Sequence, residues 1–98
     1  MNAFVSTVDA VEGVKNFTLI FGGVKNQAQN LSMDIQSLAT GLNPADERLS
    51  VERFSYQAGI VSFALHYHNQ EVFRLFNESL QKCLIETYNL ADDDFYIS

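Results

Sequence analysis

The chain has 98 residues, and its 12 acidic and 6 basic side chains give a formal net charge of −6. This length is typical of one domain, so we expect residues 1–98 to fold as a single globular domain. A hydrophobic content of 47% excludes a wholly disordered chain. The excess of acids argues against a nucleic-acid partner, because phosphate groups repel an acidic surface.

Cysteine use and hydropathy indicate the compartment. Cys83 is the single cysteine, so the chain cannot form the intrachain disulfides that stabilise small secreted domains. Asp9, Glu12 and Lys15 fall where a secretory signal would need an apolar run, and no apolar run is long enough to span a membrane. The sequence therefore predicts a cytoplasmic protein without a membrane partner.

The chain begins with two strand candidates. Residues Ala3–Ala10 form either a strand or one helical turn, and we favour the strand. In Asn16–Phe21 the pattern alternates, so Phe17, Leu19 and Phe21 are expected to face the core.

The first helix is predicted over Val24–Leu42, where apolar residues recur in steps of three and four. That stripe consists of Val24, Ala28, Leu31, Ile35, Leu38 and Leu42. Gly41 is expected to end the helix, since glycine followed shortly by Asn43 and Pro44 is a typical C-terminal signal.

A hairpin is predicted next. Leu49–Tyr56 resembles a strand, although its alternation is poor and its register is therefore open. It is joined through Gln57–Gly59 to a clearer strand, Ile60–His68. The core-facing positions of that second strand are Val61, Phe63, Leu65 and Tyr67.

The second helix is predicted over Gln70–Asn89, with Asn69 as its N-cap. Its apolar stripe is formed by Phe73, Phe76, Leu80, Leu84 and Tyr88. Val72, Leu75 and Ile85 widen this face and predict deeper burial than in the first helix. The acidic turn Asp92–Asp94 follows. We favour Phe95–Ile97 as a short edge strand over a docking peptide.

These elements predict an α+β fold, a single antiparallel sheet of four or five strands with two helices packed on one face. The order is ββαββα if Ala3–Ala10 is a strand. If it is not, the order is β-α-β-β-α-β, and Phe95–Ile97 completes a ferredoxin-like sheet.

The composition of the second sheet face favours a homodimer. That face would carry a mixed set of residues, Thr18, Ile20, Ser62, Ala64, His66 and His68, and a low charged fraction of 18% with 12% aromatics suggests contacts between chains. The expected interface residues are Ile20, Ala64, Phe54, Phe95 and Tyr96. We therefore predict a small non-enzymatic protein-interaction module, accessory or regulatory, that acts as a homodimer and could bind another protein partner.

The alternative is a small-molecule binding domain, with its pocket between helices and sheet or at the dimer seam. Its polar contacts would come from Tyr56, His66, Tyr67 and His68. The spacing of His66, His68 and Glu71 also makes a weak metal candidate, because residues two apart on a strand point the same way. We expect no metal and no cofactor.

Catalysis is not expected. Cys83 lies mid-helix among apolar neighbours and is predicted to pack as a small hydrophobic residue. Gly22–Gly23 lacks the further residues of a phosphate-binding loop and is predicted to be a strand-to-helix turn. No nucleophile with a base and an orienting group can be named from spacing.

Overall fold

The computed structural model describes residues 13–42 and 49–98. In chain order these form β1 (Gly13–Ile20), α1 (Lys25–Leu42), β2 (Ser50–Gln57), β3 (Ile60–Tyr67), α2 (Gln70–Tyr88), a 3₁₀ turn (Asp92–Asp94) and β4 (Phe95–Ile97). The α+β class is confirmed, with two helices and one antiparallel sheet of four strands within the described residues. The predicted strand Ala3–Ala10, which the ββαββα order requires, lies outside them.

The strands are ordered β2-β3-β1-β4 across the sheet. Each neighbouring pair is antiparallel, and β1 pairs with β3 along its whole length, from Gly13↔Tyr67 to Ile20↔Ile60. Residues Phe95–Ile97 form the edge strand beside β1, so the favoured interpretation of the tail is confirmed.

One apolar cluster joins the helices to the sheet. The strand positions predicted to face the core are all buried: Phe17, Leu19, Phe21, Val61, Phe63, Leu65 and Tyr67. The same cluster contains the buried faces of α1 and α2. Because these strand residues lie on one side of the pleat, both helices cover the same sheet face.

The helix ends confirm two predictions and correct a third. Asn69 caps α2, since its Oδ1 accepts hydrogen bonds from the amides of Glu71 at 2.7 Å and Val72 at 3.3 Å. Among the described residues α1 extends through Gly41 to Leu42, the bound predicted for it. Val24 precedes α1 and is 64% exposed, so it is not part of the buried stripe.

The second helix is also less buried than predicted. Leu75 and Ile85, which were expected to widen its apolar face, are exposed. They lie outside the sector of α2 that meets the sheet and α1, so the described elements leave them in contact with solvent.

The hairpin contains a bulge that explains the poor alternation of its first strand. Its turn is Ala58–Gly59, both with positive φ (51° and 79°), as a two-residue turn between twisted strands requires. Within β2 the register shifts between Glu52 and Ser55, where Arg53 adopts a left-handed φ of 56°. A residue inserted here sends two successive side chains to the same face.

Candidate functional site

The described elements cover one face of the sheet and leave the other uncovered. The residues of this uncovered face form four rows across the strands, set by the pairing register. From one end to the other these rows are Gln57–Ile60–Ile20, Ser55–Ser62–Thr18–Tyr96, Glu52–Ala64–Asn16 and Ser50–His66–Val14. We call this set, together with Arg53, the uncovered face.

Large apolar side chains are exposed at both ends of this face and along the β4 edge. Ile20 and Ile60 pair directly and are 43% and 41% exposed, while Val14 at the opposite end is 42% exposed. Tyr96, beside Thr18, is 53% exposed. Exposed apolar groups concentrated on one flat surface are typical of a contact site.

The middle of the uncovered face is polar. A shallow depression of about 240 Å³ is lined there by side chains that include Asn16, Thr18, Arg53 and Ser62. Ser62 also shares a hydrogen bond of 2.9 Å with Ser55. The depression therefore combines an amide, hydroxyls and one guanidinium, groups that can all donate to an anion.

The bulge in β2 determines which charges this face presents. Val51 and Phe54 pack towards the core, so Glu52 and Arg53 between them are both exposed on the uncovered face. Sequence reasoning missed this pair. The sequence does carry a signal for it, two consecutive charged residues between two apolar ones. In a regular strand one of the two charged side chains would face the core, so this pattern indicates a bulge.

His66 lies next to this charged pair. Its Nε2 atom is buried and makes no hydrogen bond among the described residues, and the nearest carboxylate oxygen, Glu52 Oε1, is 3.9 Å away. Glu52 is therefore directed towards β3. Arg53, by contrast, has no carboxylate within ion-pair distance in the described part of the chain.

The five predicted interface residues divide between the two sheet faces. Ile20, Ala64 and Tyr96 lie on the uncovered face, where Ala64 is buried. Phe54 and Phe95 point to the helix side, where they pack on Phe63 and Phe17 respectively. Only Ile20 and Tyr96 are exposed to a partner on the uncovered face.

The predicted ligand residues are not brought together. The Tyr56 hydroxyl donates to the carbonyl oxygen of Gly23 at 2.8 Å, and its ring meets that of Phe21 on the helix side. Tyr67 lies near the other end of β3, where its ring stacks on Phe73 and covers Gly13, at which any Cβ would collide with it. Both tyrosines thus contribute to the packing of the core.

The metal candidate is not assembled either. Glu71 forms an ion pair with Arg74, whose hydrogen bonds lower the pKa of the Glu71 carboxyl. His66 contacts Glu52 instead, and His68 follows the end of β3. Among the described residues no group of three or more histidine, cysteine or acidic side chains could hold a metal ion.

Ring packing in the core uses most of the aromatic side chains. The rings in mutual contact are Phe17, Phe21, Phe54, Tyr56, Phe63, Tyr67, Phe73, Phe76, Tyr88 and Phe95. The aromatic content therefore lends little support to an interface, and the case for one depends on the uncovered face.

A polar contact joins the two helices. The Tyr88 hydroxyl donates to Asp34 Oδ2 at 2.6 Å, and burial together with this bond raises the pKa of Tyr88 above its ordinary value. Burial and the nearby Asp34 also raise the pKa of the Cys83 thiol. Cys83 is thus a poor nucleophile at neutral pH.

Replacing Tyr88 with phenylalanine is expected to lower the free energy of unfolding at pH 7 by about 1 kcal/mol, through loss of a partly exposed hydrogen bond to a carboxylate. Folding raises the pKa of Tyr88. The hydroxyl therefore makes its full contribution to the free energy of unfolding below the phenol's unfolded pKa of about 10, and this contribution declines at higher pH. Urea unfolding of both chains at pH 7 and pH 10.5 should therefore give a smaller difference at the higher pH.

The matched control is Tyr96→Phe, which removes an exposed hydroxyl from β4. At a chain concentration low enough to keep the protein monomeric, this variant should unfold like the wild type at both pH values. A Tyr88→Phe effect that is equal at pH 7 and pH 10.5 would contradict the role of the hydroxyl.

No helix in residues 13–42 or 49–98 has the length and apolar character needed to cross a membrane. No protein-family model matches the chain, and no curated protein matches its sequence. Its function is therefore argued from the geometry described above.

Proposed function

We propose that this protein is a small interaction module that forms a homodimer through the uncovered face of its sheet. We also propose that its arrangement is ferredoxin-like, which the β-α-β-β-α-β order and the strand order β2-β3-β1-β4 support. An accessory or regulatory role towards another protein partner is part of the same proposal.

The observation that carries this proposal is that four of the eight exposed large apolar side chains among the described residues lie on this one sheet face. Val14, Ile20, Ile60 and Tyr96 surround a polar centre there. A mixture of apolar and polar groups is typical of interfaces between proteins. A second copy of the same chain is favoured as the partner, because twofold dimers are the commonest closed assemblies.

Ile20→Asp tests the proposal. A carboxylate at this position would be buried among apolar groups without a cation in the dimer, so we expect the dimer dissociation constant to rise roughly 30-fold or more, equivalent to about 2 kcal/mol. Light scattering over a concentration series should give twice the chain mass of 11.0 kDa for the wild type and a shift towards 11.0 kDa for the variant.

Met33→Asp is the matched control, since Met33 is an exposed apolar residue on α1, away from the uncovered face. It should leave the dimer unchanged. A wild-type chain that stays at 11.0 kDa up to millimolar concentration would overturn the proposal.

A second candidate function, small-molecule binding, is favoured by a groove of about 300 Å³ between α1 and β2. Lys25, Gln29, Ser32 and Tyr56 are among its lining residues, and they would suit a small acidic compound. A thermal-shift screen of small carboxylic and phosphoric acids tests this. Stabilisation of the wild type that is lost in Lys25→Ala would support it, whereas no stabilisation by any compound would exclude this ligand class.

A further inference from the structure

We infer that the twofold axis of the dimer runs across the strands, and that Arg53 of each copy pairs with Glu52 of the second copy. This inference rests on the homodimer proposed above. It concerns the charges of the uncovered face, whereas that proposal was drawn from its apolar residues.

Arg53 is the starting point. The β2 bulge places its side chain beside the depression formed with Asn16, Thr18 and Ser62. Its left-handed φ of 56° is unusual for a residue other than glycine, and such conformations persist where the surrounding structure fixes them. In the described residues no carboxylate pairs with it.

A dimer that covers this face must supply a partner for Arg53, because burying a charge without one costs several kcal/mol. The carboxylate of Glu52 is the one that the described residues of the uncovered face present. In its own chain it is directed towards His66. In a twofold dimer this ion pair forms twice: Arg53 of the first copy pairs with Glu52 of the second, and Arg53 of the second copy pairs with Glu52 of the first.

The positions of Glu52 and Arg53 in the sheet determine which twofold axis can bring them together. Glu52 and Arg53 are on β2, at one edge of the sheet. An axis along the strands would place β2 over β4 of the second copy, with Arg53 opposite Tyr96. Asp94, which precedes β4, accepts a hydrogen bond from the amide of Ala91 in its own chain. An axis across the strands places β2 over β2 of the second copy, so that Arg53 and Glu52 lie within reach of their counterparts.

The apolar residues agree with the second arrangement. An axis across the strands, between the rows of Thr18 and Asn16, exchanges the two ends of the face. It therefore places Val14 over Ile20 of the second copy, an apolar contact made twice. The centres of the two faces then meet, and the hydroxyl and amide groups beside Arg53 can donate to the incoming carboxylate.

Complementary charge reversal tests the pairing. Arg53→Glu gives a face with two acids and Glu52→Arg a face with two bases, so each variant alone should dimerise at least tenfold more weakly than the wild type. Mixed in equal amounts, the two should form a heterodimer with an affinity within about threefold of the wild type. Sedimentation equilibrium measures the dissociation constants of the two variants and of their mixture. Lys82→Glu, at an exposed position of α2, is the control for a change of charge.

The outcomes separate the two proposals. If Ile20→Asp breaks the dimer but Arg53→Glu does not, the pairing is wrong and the interface stands. If circular dichroism shows that both charge variants are folded, and sedimentation shows that each is monomeric and that the mixture does not associate, the pairing is also wrong. A monomeric wild type overturns both proposals.

A disulfide experiment tests the axis itself. Val14→Cys and Ile20→Cys, each with Cys83→Ser, are mixed and oxidised. The inferred axis predicts a disulfide between the two different variants and little within either alone. Disulfides formed equally well by each variant with itself would overturn this axis.

Discussion

Replacing Phe17 with alanine is expected to lower the free energy of unfolding by about 3–5 kcal/mol, the range for a large buried aromatic residue. Phe17 is fully buried. Its ring stacks on Phe63 with centroids 4.8 Å apart and planes 4° apart, and it meets the edge of Phe76 at 5.9 Å. The alanine would therefore leave a cavity where β1, β3 and α2 meet.

Urea unfolding followed by circular dichroism measures this loss. Phe17→Leu serves as a graded variant, because it keeps much of the volume and should lose less stability than Phe17→Ala even if the alanine chain fails to fold. Met33→Ala, a truncation of a large apolar side chain at an exposed position of α1, is the matched control. A loss below about 1 kcal/mol in Phe17→Ala would contradict a core centred on this ring.

For a chain that ends at Ala91 the free energy of unfolding is expected to fall by about 3 kcal/mol or more. The partial burial of two large apolar side chains and the hydrogen bonds of one strand together contribute stability of about that size. The truncation removes β4, with Phe95 and Ile97 packed on the core. It also removes Ser98, which exchanges backbone hydrogen bonds with Asn16 at 2.7 and 2.8 Å. β1 would become an unprotected edge strand.

The same unfolding measurement compares this shortened chain with the full chain. Asp93→Asn, which changes the charge of the tail and keeps β4, is the control. Unchanged stability after truncation would contradict the contribution of Phe95–Ile97 to the sheet. The docking peptide, the interpretation not favoured, would in addition require that partner binding is lost.

The regular elements could be predicted because their patterns are local. The steps of three and four in α1 and α2, the alternation in β3 and the cap at Asn69 all depend on neighbours in sequence. The exposure of Val24 could not be predicted in the same way, because it depends on α1 beginning only at Lys25.

The candidate site could be predicted only in part, because the positions of some of its residues depend on contacts that are distant in sequence. Ile20, Ala64 and Tyr96 follow from alternation, once the core face is known. Arg53 could not be placed, since its orientation depends on a register shift that pairing with β3 creates. The surroundings of Tyr56 could not be predicted either, because they are set by Gly23 and Phe21, far from it in sequence.

Isotope-filtered nuclear Overhauser spectra of an equimolar mixture of ¹³C-labelled and unlabelled chains test the central claim most directly, because they record only contacts between copies. The account predicts intermolecular signals from the methyl groups of Val14, Ile20 and Ile60. Signals from Met33 and Ile85 on the helices in their place, or no intermolecular signal at millimolar concentration, would contradict it.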